Sequence, residues 1–530
     1  MEVIIVGAGA TGLKCASRLR RLSEEAKITV VDEGERISLA RCGLPYFISG
    51  QIHEVDELRK TTYDVVRDEN YFKKTFNIEV LTKTRALDID RKRRVLRVSK
   101  GEKEDELNYD YLVIATGAKP IKIFNSDERI LTLFSAEDAE KILKLWENGA
   151  EKAAVIGAGF IGLEACEALR SLDLDVTLVE ALDQVAPMLD AEIAKLVESH
   201  IREKGVKVRL ATKVRDIVAK DKLKIVADEE IEADFVVQAV GIKPNVDLAV
   251  KAGLEIGTTG AIKVNEFMQT SDARIFAGGD CVENTHILTG KKIYAPFGDV
   301  ANKHGRVIAD NIMGRKVRFP GILGTSIFKV FDLTVAKTGL SEREAISNGF
   351  KAYSVLLSAF DKSHYYPRAS NLRIKLVVNE NSRILGAQIV GYSGVDKRID
   401  VFATAIYAGL SIDEISNLDL AYAPPYAPAL DPVIVSANVA MNKREGLLES
   451  TRKIEGIILD VRSREEAKKF PVNGALNIPL LELRERVKEL PKDAEITIIC
   501  SIGLRSYIAS RILKAMGFKV RVYEGGAAFL

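Results

Sequence analysis

The chain has 530 residues, 47% hydrophobic and 29% charged, a balance that excludes wholesale disorder. At ~150 residues per domain that length predicts three or four domains. Lysine plus arginine (77) nearly cancels aspartate plus glutamate (75), and a formal charge of +2 excludes a general electrostatic attraction to nucleic acid or to a membrane surface.

Glu2–Val6 reads as a short apolar strand running into Gly7-Ala8-Gly9-Ala10-Thr11-Gly12. A helical stretch to about Leu22 follows, then a strand Ile28–Val31 ending at Asp32, which together make one βαβ unit. A strand this close to the start predicts that no leader peptide precedes the fold. The unit recurs as Ala153–Ile156, Gly157-Ala158-Gly159-Phe160-Ile161-Gly162, a helix to about Leu172, and Val176–Val179 ending at Glu180. Two copies predict two nucleotide-binding domains, each a mostly parallel sheet covered by helices. From about Ile322 to Asn442 the pattern changes to strands at Val355–Leu357, Leu372–Val378 and Ile384–Val390 with a helix near Asp396–Ala408, an α+β domain without a glycine fingerprint. The polar stretch Asn442–Lys453 reads as a linker. Beyond it, Ile457–Asp460, a helix near Arg464–Lys469, Ile496–Cys500 and a helix Ser506–Met516 predict a small α/β unit. No apolar run approaches the roughly 18 residues of a membrane span. Five scattered cysteines (Cys15, Cys42, Cys166, Cys281, Cys500) form no disulfide framework and no metal knuckle, which predicts a reduced, cytoplasmic setting and no metal. Only five glutamines beside abundant Lys, Arg and Glu suggest a heat-adapted source.

Each G-x-G-x-x-G follows a strand, opens a helix and has an acid at the end of the next strand, Asp32 in one copy and Glu180 in the other. The chemistry requires the first glycine for a tight turn, the second for backbone approach to pyrophosphate and the third for close helix–strand packing. Phosphate then sits at a helix N-terminus, and the acid meets a ribose diol. After Glu180 come Ala-Leu-Asp-Gln, with no arginine for a 2′-phosphate, so NADH is expected at the second site and NADPH is the alternative.

With these motifs the chain resembles the flavoprotein disulfide reductases that carry two dinucleotide-binding domains. Ala115-Thr116-Gly117-Ala-Lys-Pro120 resembles the family's crossover strand, Val240-Gly241-Ile-Lys-Pro244-Asn245 its return, and Ile275-Phe-Ala-Gly278-Gly279-Asp280 the motif whose aspartate bonds the flavin's ribityl chain. The resemblance implies FAD on the first fingerprint, with Ala8, Ser38, Gly279, Asp280 and Ala295 contributing, and NADH on the second, with Phe160, Ile161, Glu164 and Gly241 contributing. It implies an FAD domain at 1–112 and 245–318, an NADH domain at 113–244, a dimerisation domain at 319–445 and a C-terminal domain at 453–530.

Most members carry a C-x-x-x-x-C pair near the flavin. Here Ser38-Leu-Ala-Arg41-Cys42-Gly43-Leu-Pro45-Tyr46 supplies one cysteine, and position 47 is Phe. That resembles coenzyme A-disulfide reductases and their relatives, the NADH oxidases, peroxidases and persulfide reductases. A lone thiol closes no internal disulfide, but it forms a mixed disulfide, persulfide or sulfenic acid. Ser363-His364-Tyr365-Tyr366-Pro367 and Tyr422-Ala-Pro-Pro-Tyr426 resemble segments of the CoA-linked members, in which the first tyrosine of the latter reaches the partner subunit's thiol site. Lys14, Arg18 and Arg21 form one stripe on the first helix, which the resemblance aims at coenzyme A phosphates with Arg41 and Asn302 as further substrate contacts. A solvated helix face explains the stripe equally well, and Arg41 and Leu430 stand where the family usually has Asn and often Lys.

Ile496-Thr-Ile-Ile-Cys500-Ser-Ile-Gly503-Leu-Arg505 puts a cysteine between an apolar strand and a helix, where backbone N–H groups and Arg505 suit an anionic persulfide. It resembles the rhodanese loop, as Asp460-Val-Arg462 and Gly474–Pro479 resemble other rhodanese landmarks, although the segment is short and lacks the usual C-terminal Trp. The whole chain therefore resembles an NADH-dependent persulfide reductase fused to a rhodanese domain. The implied activity is reduction of persulfide or polysulfide at Cys42, with Cys500, on a tethered domain, delivering sulfur. Tyr365, Tyr366 and Tyr422 are the implied catalytic helpers, and a homodimer is the implied assembly. Coenzyme A-disulfide reductase and NADH oxidase remain alternatives, and a sulfur carrier or redox sensor is the alternative outside catalysis.

Overall fold

The computed structural model describes residues 1–530. The chain folds into two units, Met1–Asp183 with Gly205–Ile322, and Gln184–Lys204 with Leu323–Leu530.

In the first unit the strand Glu2–Val6 is the centre of a five-stranded parallel sheet, in the order Ile275–Ala277, Tyr111–Ile114, Glu2–Val6, Lys27–Val31, Glu79–Leu81. The second fingerprint opens an equivalent sheet, Lys207–Arg209, Asp175–Val179, Lys152–Ile156, Phe235–Gln238, Ile130–Leu131. These strands are continuous apolar runs because helices cover both faces, and Ile5, Val30, Val113, Val155 and Val237 are fully buried. In each sheet the glycine turn leaves the carboxyl end of the central strand, at the switch point where doubly wound sheets bind ligands. The crossover and return segments pair with one another as an antiparallel ribbon, Ala118–Pro120 with Ile242–Pro244.

In the second unit a five-stranded antiparallel sheet runs Ser326–Val330, Leu333–Gly339, Ile384–Gly391, Asn371–Asn379, Ala352–Phe360, with the helix Val395–Ala408 against it. Its first two strands were not legible in the sequence. The helix Ala191–Glu203, which chain order assigns to the NADH domain, belongs to this unit, where Lys375 of the sheet bonds Glu192 at 2.9 Å. The C-terminal sheet is parallel, in the order Ser450–Thr451, Lys519–Tyr523, Glu495–Ile499, Ile457–Asp460, Leu476–Asn477. The stretch Asn442–Lys453 is therefore not a free linker. Helix Pro432–Arg444 runs into it, and Ser450–Thr451 adds an edge strand to the C-terminal sheet.

Candidate functional site

The first glycine turn is built by contacts that leave no room for side chains. A Cβ on Gly12 would lie 1.8 Å from the Gly7 carbonyl oxygen, and one on Gly7 would lie 2.1 Å from that of Ala115, whereas a Cβ on Gly9 would meet nothing within 4 Å. The turn is thus packed from below and open above, on the side where a pyrophosphate would approach. Asp32 is fixed by two backbone donors, Ala8 N to Oδ2 at 2.6 Å and Gly34 N to Oδ1 at 2.8 Å, which leaves lone pairs for a diol. Ser38, in the left-handed region at φ 61°, donates its N–H to Ala8 O at 3.0 Å and so brings the Cys42 segment to the turn. Thr116 Oγ1 donates to Asn245 O at 2.7 Å and Asn245 N to Gly117 O at 2.9 Å, closing the crossover.

Gly279 N donates to His304 Nδ1 at 3.1 Å, so the neutral ring carries its proton on Nε2, and burial lowers the His304 pKa to about 3. No protein donor reaches the Asp280 carboxylate. Burial raises its pKa and the Arg41 guanidinium opposes the rise. An unpartnered carboxylate beside an open glycine turn and a held ribose acid fits FAD, whose ribityl hydroxyls supply the missing donors. Tyr294 Oη donates to Asp280 O at 2.9 Å and the Ala295 side chain is buried, which shapes this wall.

The second turn repeats the construction, with Gly162 packed on Gly157 and Gly159 open. Glu180 accepts from Ala158 N at 2.7 Å (Oε2) and Leu182 N at 2.9 Å (Oε1). Phe160 and Ile161 lie on the first turn of the helix Phe160–Arg170, Glu164 opens its second turn, and Gly241, at φ 104°, turns the return segment. This geometry fits NAD(P)H.

Cys42 lies in a short 3₁₀ turn, Arg41–Gly43, leading into the helix Leu44–Ile48, and it is exposed. Cys15, Cys166 and Cys281 are buried, and burial pushes their thiols up, that of Cys281 to about 11. Tyr46 is a neighbour the sequence motif did not assign. Burial raises its pKa, and the nearby charges of Glu164, Glu167 and Cys42 add to the rise, so it stays a protonated donor beside the thiol. Arg41 stacks over the Phe134 ring at 4.2 Å. Its surroundings lower its pKa by desolvation although part of the side chain is exposed, and the fields of Asp280 and Asp32 oppose that shift.

On the basic stripe, Arg18 is paired with buried Asp310 at 2.8 Å, Lys14 is half-buried against Gly305, and Arg21 is exposed. Asn302 is exposed and donates to Gly298 O at 2.8 Å within its helix.

In the second unit Tyr365, Tyr366 and Tyr422 are exposed, and Ser363 N to Pro424 O at 3.3 Å brings their two loops together. Buried Arg398 staples both, donating to Asp431 Oδ1 and Oδ2 at 3.0 and 2.9 Å and to Asp361 O at 2.8 Å. Cys500 is fully buried, with Gly503 N at 3.1 Å and Ser506 N at 3.4 Å donating to its Sγ. Arg505 forms a two-pronged ion pair with Glu466 at 2.7 Å on each side. Its hydrogen bonds, with lesser help from Ser463 and Ser501, overcome burial and hold Glu466 at about 2. The sequence motif showed Arg505 but not the acid that engages it.

Two dinucleotide cradles with a single exposed thiol beside the first, and a second thiol in a backbone nest, define a two-nucleotide flavoprotein oxidoreductase joined to a rhodanese fold. The family models agree. Residues 1–299 match the pyridine nucleotide-disulphide oxidoreductase model, 325–433 its dimerisation domain and 444–528 the rhodanese-like domain. The chain belongs to the pyridine nucleotide-disulphide oxidoreductase family, and membership implies FAD and NAD(P)H. It is similar to the structure of a NAD-dependent persulfide reductase from A. fulgidus (57% identity, TM-score 0.97, all of both chains). It is also similar to reduced CoADR-RHD from Bacillus anthracis (37%, TM-score 0.93, 100% of this chain and 97% of that one). A curated relative from Pyrococcus furiosus, named a CoA-dependent NAD(P)H sulfur oxidoreductase, is 39% identical over 453 residues, 83% of this chain and 98% of its own. No helix is long and apolar enough to cross a membrane.

Proposed function

We propose that this chain is an FAD-dependent, NADH-preferring reductase of persulfides and polysulfides, acting in a reduced cytoplasm as a homodimer. The observation that carries the reading is that Cys42 is the one exposed thiol of five, with Phe47 where a second cysteine would complete a disulfide. The overall change is RSSH + NADH + H⁺ → RSH + H₂S + NAD⁺. FAD, when bound, supplies the two-electron link between nicotinamide and sulfur.

The Cys42 thiolate attacks the outer sulfur of RSSH, forming Cys42–S–SH as RS⁻ leaves and takes a proton. Two electrons then cleave that S–S bond, returning the Cys42 thiolate and HS⁻. Tyr46, with its phenol kept protonated, would hydrogen-bond the sulfur at Cys42. Tyr365, Tyr366 and Tyr422 would serve the partner subunit's thiol. Cys500 would gather sulfane sulfur, its anionic form held by Gly503 N and Ser506 N. Lys14 and Arg21 would meet the phosphates of a coenzyme A thiol, with Arg18 already neutralised by Asp310. The same stripe supports coenzyme A disulfide as a second substrate. The proposed domains are 1–112 with 245–318 for FAD, 113–244 for NADH without the helix Ala191–Glu203, 319–445 for dimerisation, and a rhodanese unit that begins at Ser450 rather than at 453.

A screen of NADH consumption against polysulfide, coenzyme A persulfide and a glutathione-type persulfide under anaerobic conditions, with sulfide measured alongside and oxygen as a separate acceptor arm, tests the reading. Turnover with matching sulfide release is expected. Consumption only with oxygen, or none with any acceptor, overturns it in favour of an oxidase or a carrier.

A further inference from the structure

The Cys500 loop is braced by a turn of its own domain, and that turn is held from outside the domain. Ala527 N donates to Cys500 O at 2.8 Å, and the turn at Gly526 lies so close that a Cβ there would come within 2.6–2.7 Å of Ser501 O, Cys500 O and Ile502 N. Ser358 Oγ, buried on the dimerisation-domain strand Ala352–Phe360, donates to Gly525 O at 2.7 Å. Glu524, one residue earlier and also buried, accepts from Lys443 Nζ at 2.5 Å, Ser450 Oγ at 2.6 Å and Arg452 Nε at 2.8 Å. The cluster continues outward. Arg452 donates to Glu192 and Glu342 at 2.9 Å each, and buried Lys375 bonds the same two carboxylates at 2.9 Å each. A tethered domain free to swing is therefore not what the structure contains. The turn that fixes Cys500 is clamped to the dimerisation domain.

We propose that Arg452, Glu524 and Ser358 are positioning residues for sulfur loading, so that the geometry of the Cys500 nest is set by the dimerisation domain and not by the rhodanese fold alone. The neighbouring sheet reaches this turn through Ser358, whose Oγ bonds Gly525 O at 2.7 Å. The inference rests on the reading of Cys500 as a sulfur acceptor. The two N–H donors act on Sγ only while the loop keeps its distances, and a displaced turn both weakens the nest and exposes the thiol.

The test uses full-length, FAD-loaded enzyme carrying Arg452→Gln, Arg452→Lys, Ser358→Ala or Cys500→Ser. Cys500 alkylation by iodoacetamide is followed by peptide mass spectrometry with Cys42 as the internal reference, beside thiosulfate:cyanide sulfurtransfer and NADH-dependent reduction of a small persulfide. Arg452→Gln and Ser358→Ala are expected to lower sulfurtransferase kcat about tenfold, the effect of one net hydrogen bond, and to change the Cys500 alkylation rate relative to that of Cys42. Small-persulfide reduction stays at the parent rate, and Arg452→Lys restores most of the loss. If Arg452→Gln does not fold, Ser358→Ala decides. Unchanged alkylation and sulfurtransfer, or a parallel fall in small-persulfide reduction, overturns the proposal. Sulfurtransfer surviving in Cys500→Ser instead overturns the role given to Cys500, while the alkylation comparison still decides the positioning claim.

Discussion

Replacing Glu180 by glutamine isolates the basis of nucleotide choice. Both carboxylate oxygens are held by backbone donors, Ala158 N and Leu182 N, and the side chain is buried at the end of the strand Asp175–Val179. A 2′-phosphate would face that charge where the ribose hydroxyl of NADH finds an acceptor. The arginine on the adjacent strand end, Arg209, is turned to Glu229 at 3.3 Å. Loss of a charge-assisted bond plus repulsion gives ~1.5–3 kcal/mol against NADPH, roughly tenfold to 150-fold in kcat/KM. Glutamine offers one acceptor for two backbone donors, so one N–H is left unpaired at a cost of about 1–3 kcal/mol in stability, and the ribose diol loses its charged acceptor, which weakens NADH binding. Stopped-flow reduction of the enzyme-bound flavin by each nucleotide, under anaerobic conditions, reads both the preference and the weakening. The parent protein should prefer NADH, and Glu180→Gln should weaken NADH while shrinking the preference. Equal kcat/KM for both nucleotides in the parent, or an unaltered ratio in the variant, refutes the reasoning.

Cys42→Ser should abolish reduction of small persulfides and polysulfide while NADH still reduces the flavin, whereas Cys500→Ser should impair polymeric donors and sulfurtransfer most. Equal loss on every donor in both variants would make Cys500 a central relay. Mixing Cys42→Ser chains with Tyr422→Phe chains should recover part of the activity in heterodimers, and recovery no better than either homodimer counts against cross-subunit sites. Gly12→Ala, whose Cβ would sit 1.8 Å from Gly7 O, should yield protein without the flavin absorbance, and full FAD content would contradict the packed turn. At Glu342, burial works to raise the carboxyl, and Lys375 and Arg452 outweigh it to hold the pKa at about 2, below its ordinary 4.5. Its stabilisation is therefore complete above about pH 4.5 and is lost as pH falls toward 2, so the melting temperature should drop across that window and drop less in Glu342→Gln, a difference of ~1–3 kcal/mol.

The parallel sheets, both glycine turns and the acids that follow them were legible in the sequence, because each depends on residues close together in the chain. A strand buried on both faces reads as an apolar run, and a phosphate turn needs glycine at fixed spacing, so Glu2–Gly12 and Lys152–Gly162 announce themselves. Cys15 and Cys166 lie inside the helices that the two fingerprints open, so their burial follows from local sequence, whereas the exposure of Cys42 and the burial of Cys281 needed the fold. So did Tyr46 beside Glu164, Asp310 on Arg18, Glu466 on Arg505 and Arg398 under the tyrosine loops, which are partners brought together across long stretches of chain. The polar stretch Asn442–Lys453 shows why. Charged residues read as a solvated linker until tertiary packing supplies their counter-charges, and Lys443 and Arg452 find theirs at Glu524, Glu192 and Glu342, turning the apparent tether into a clamp.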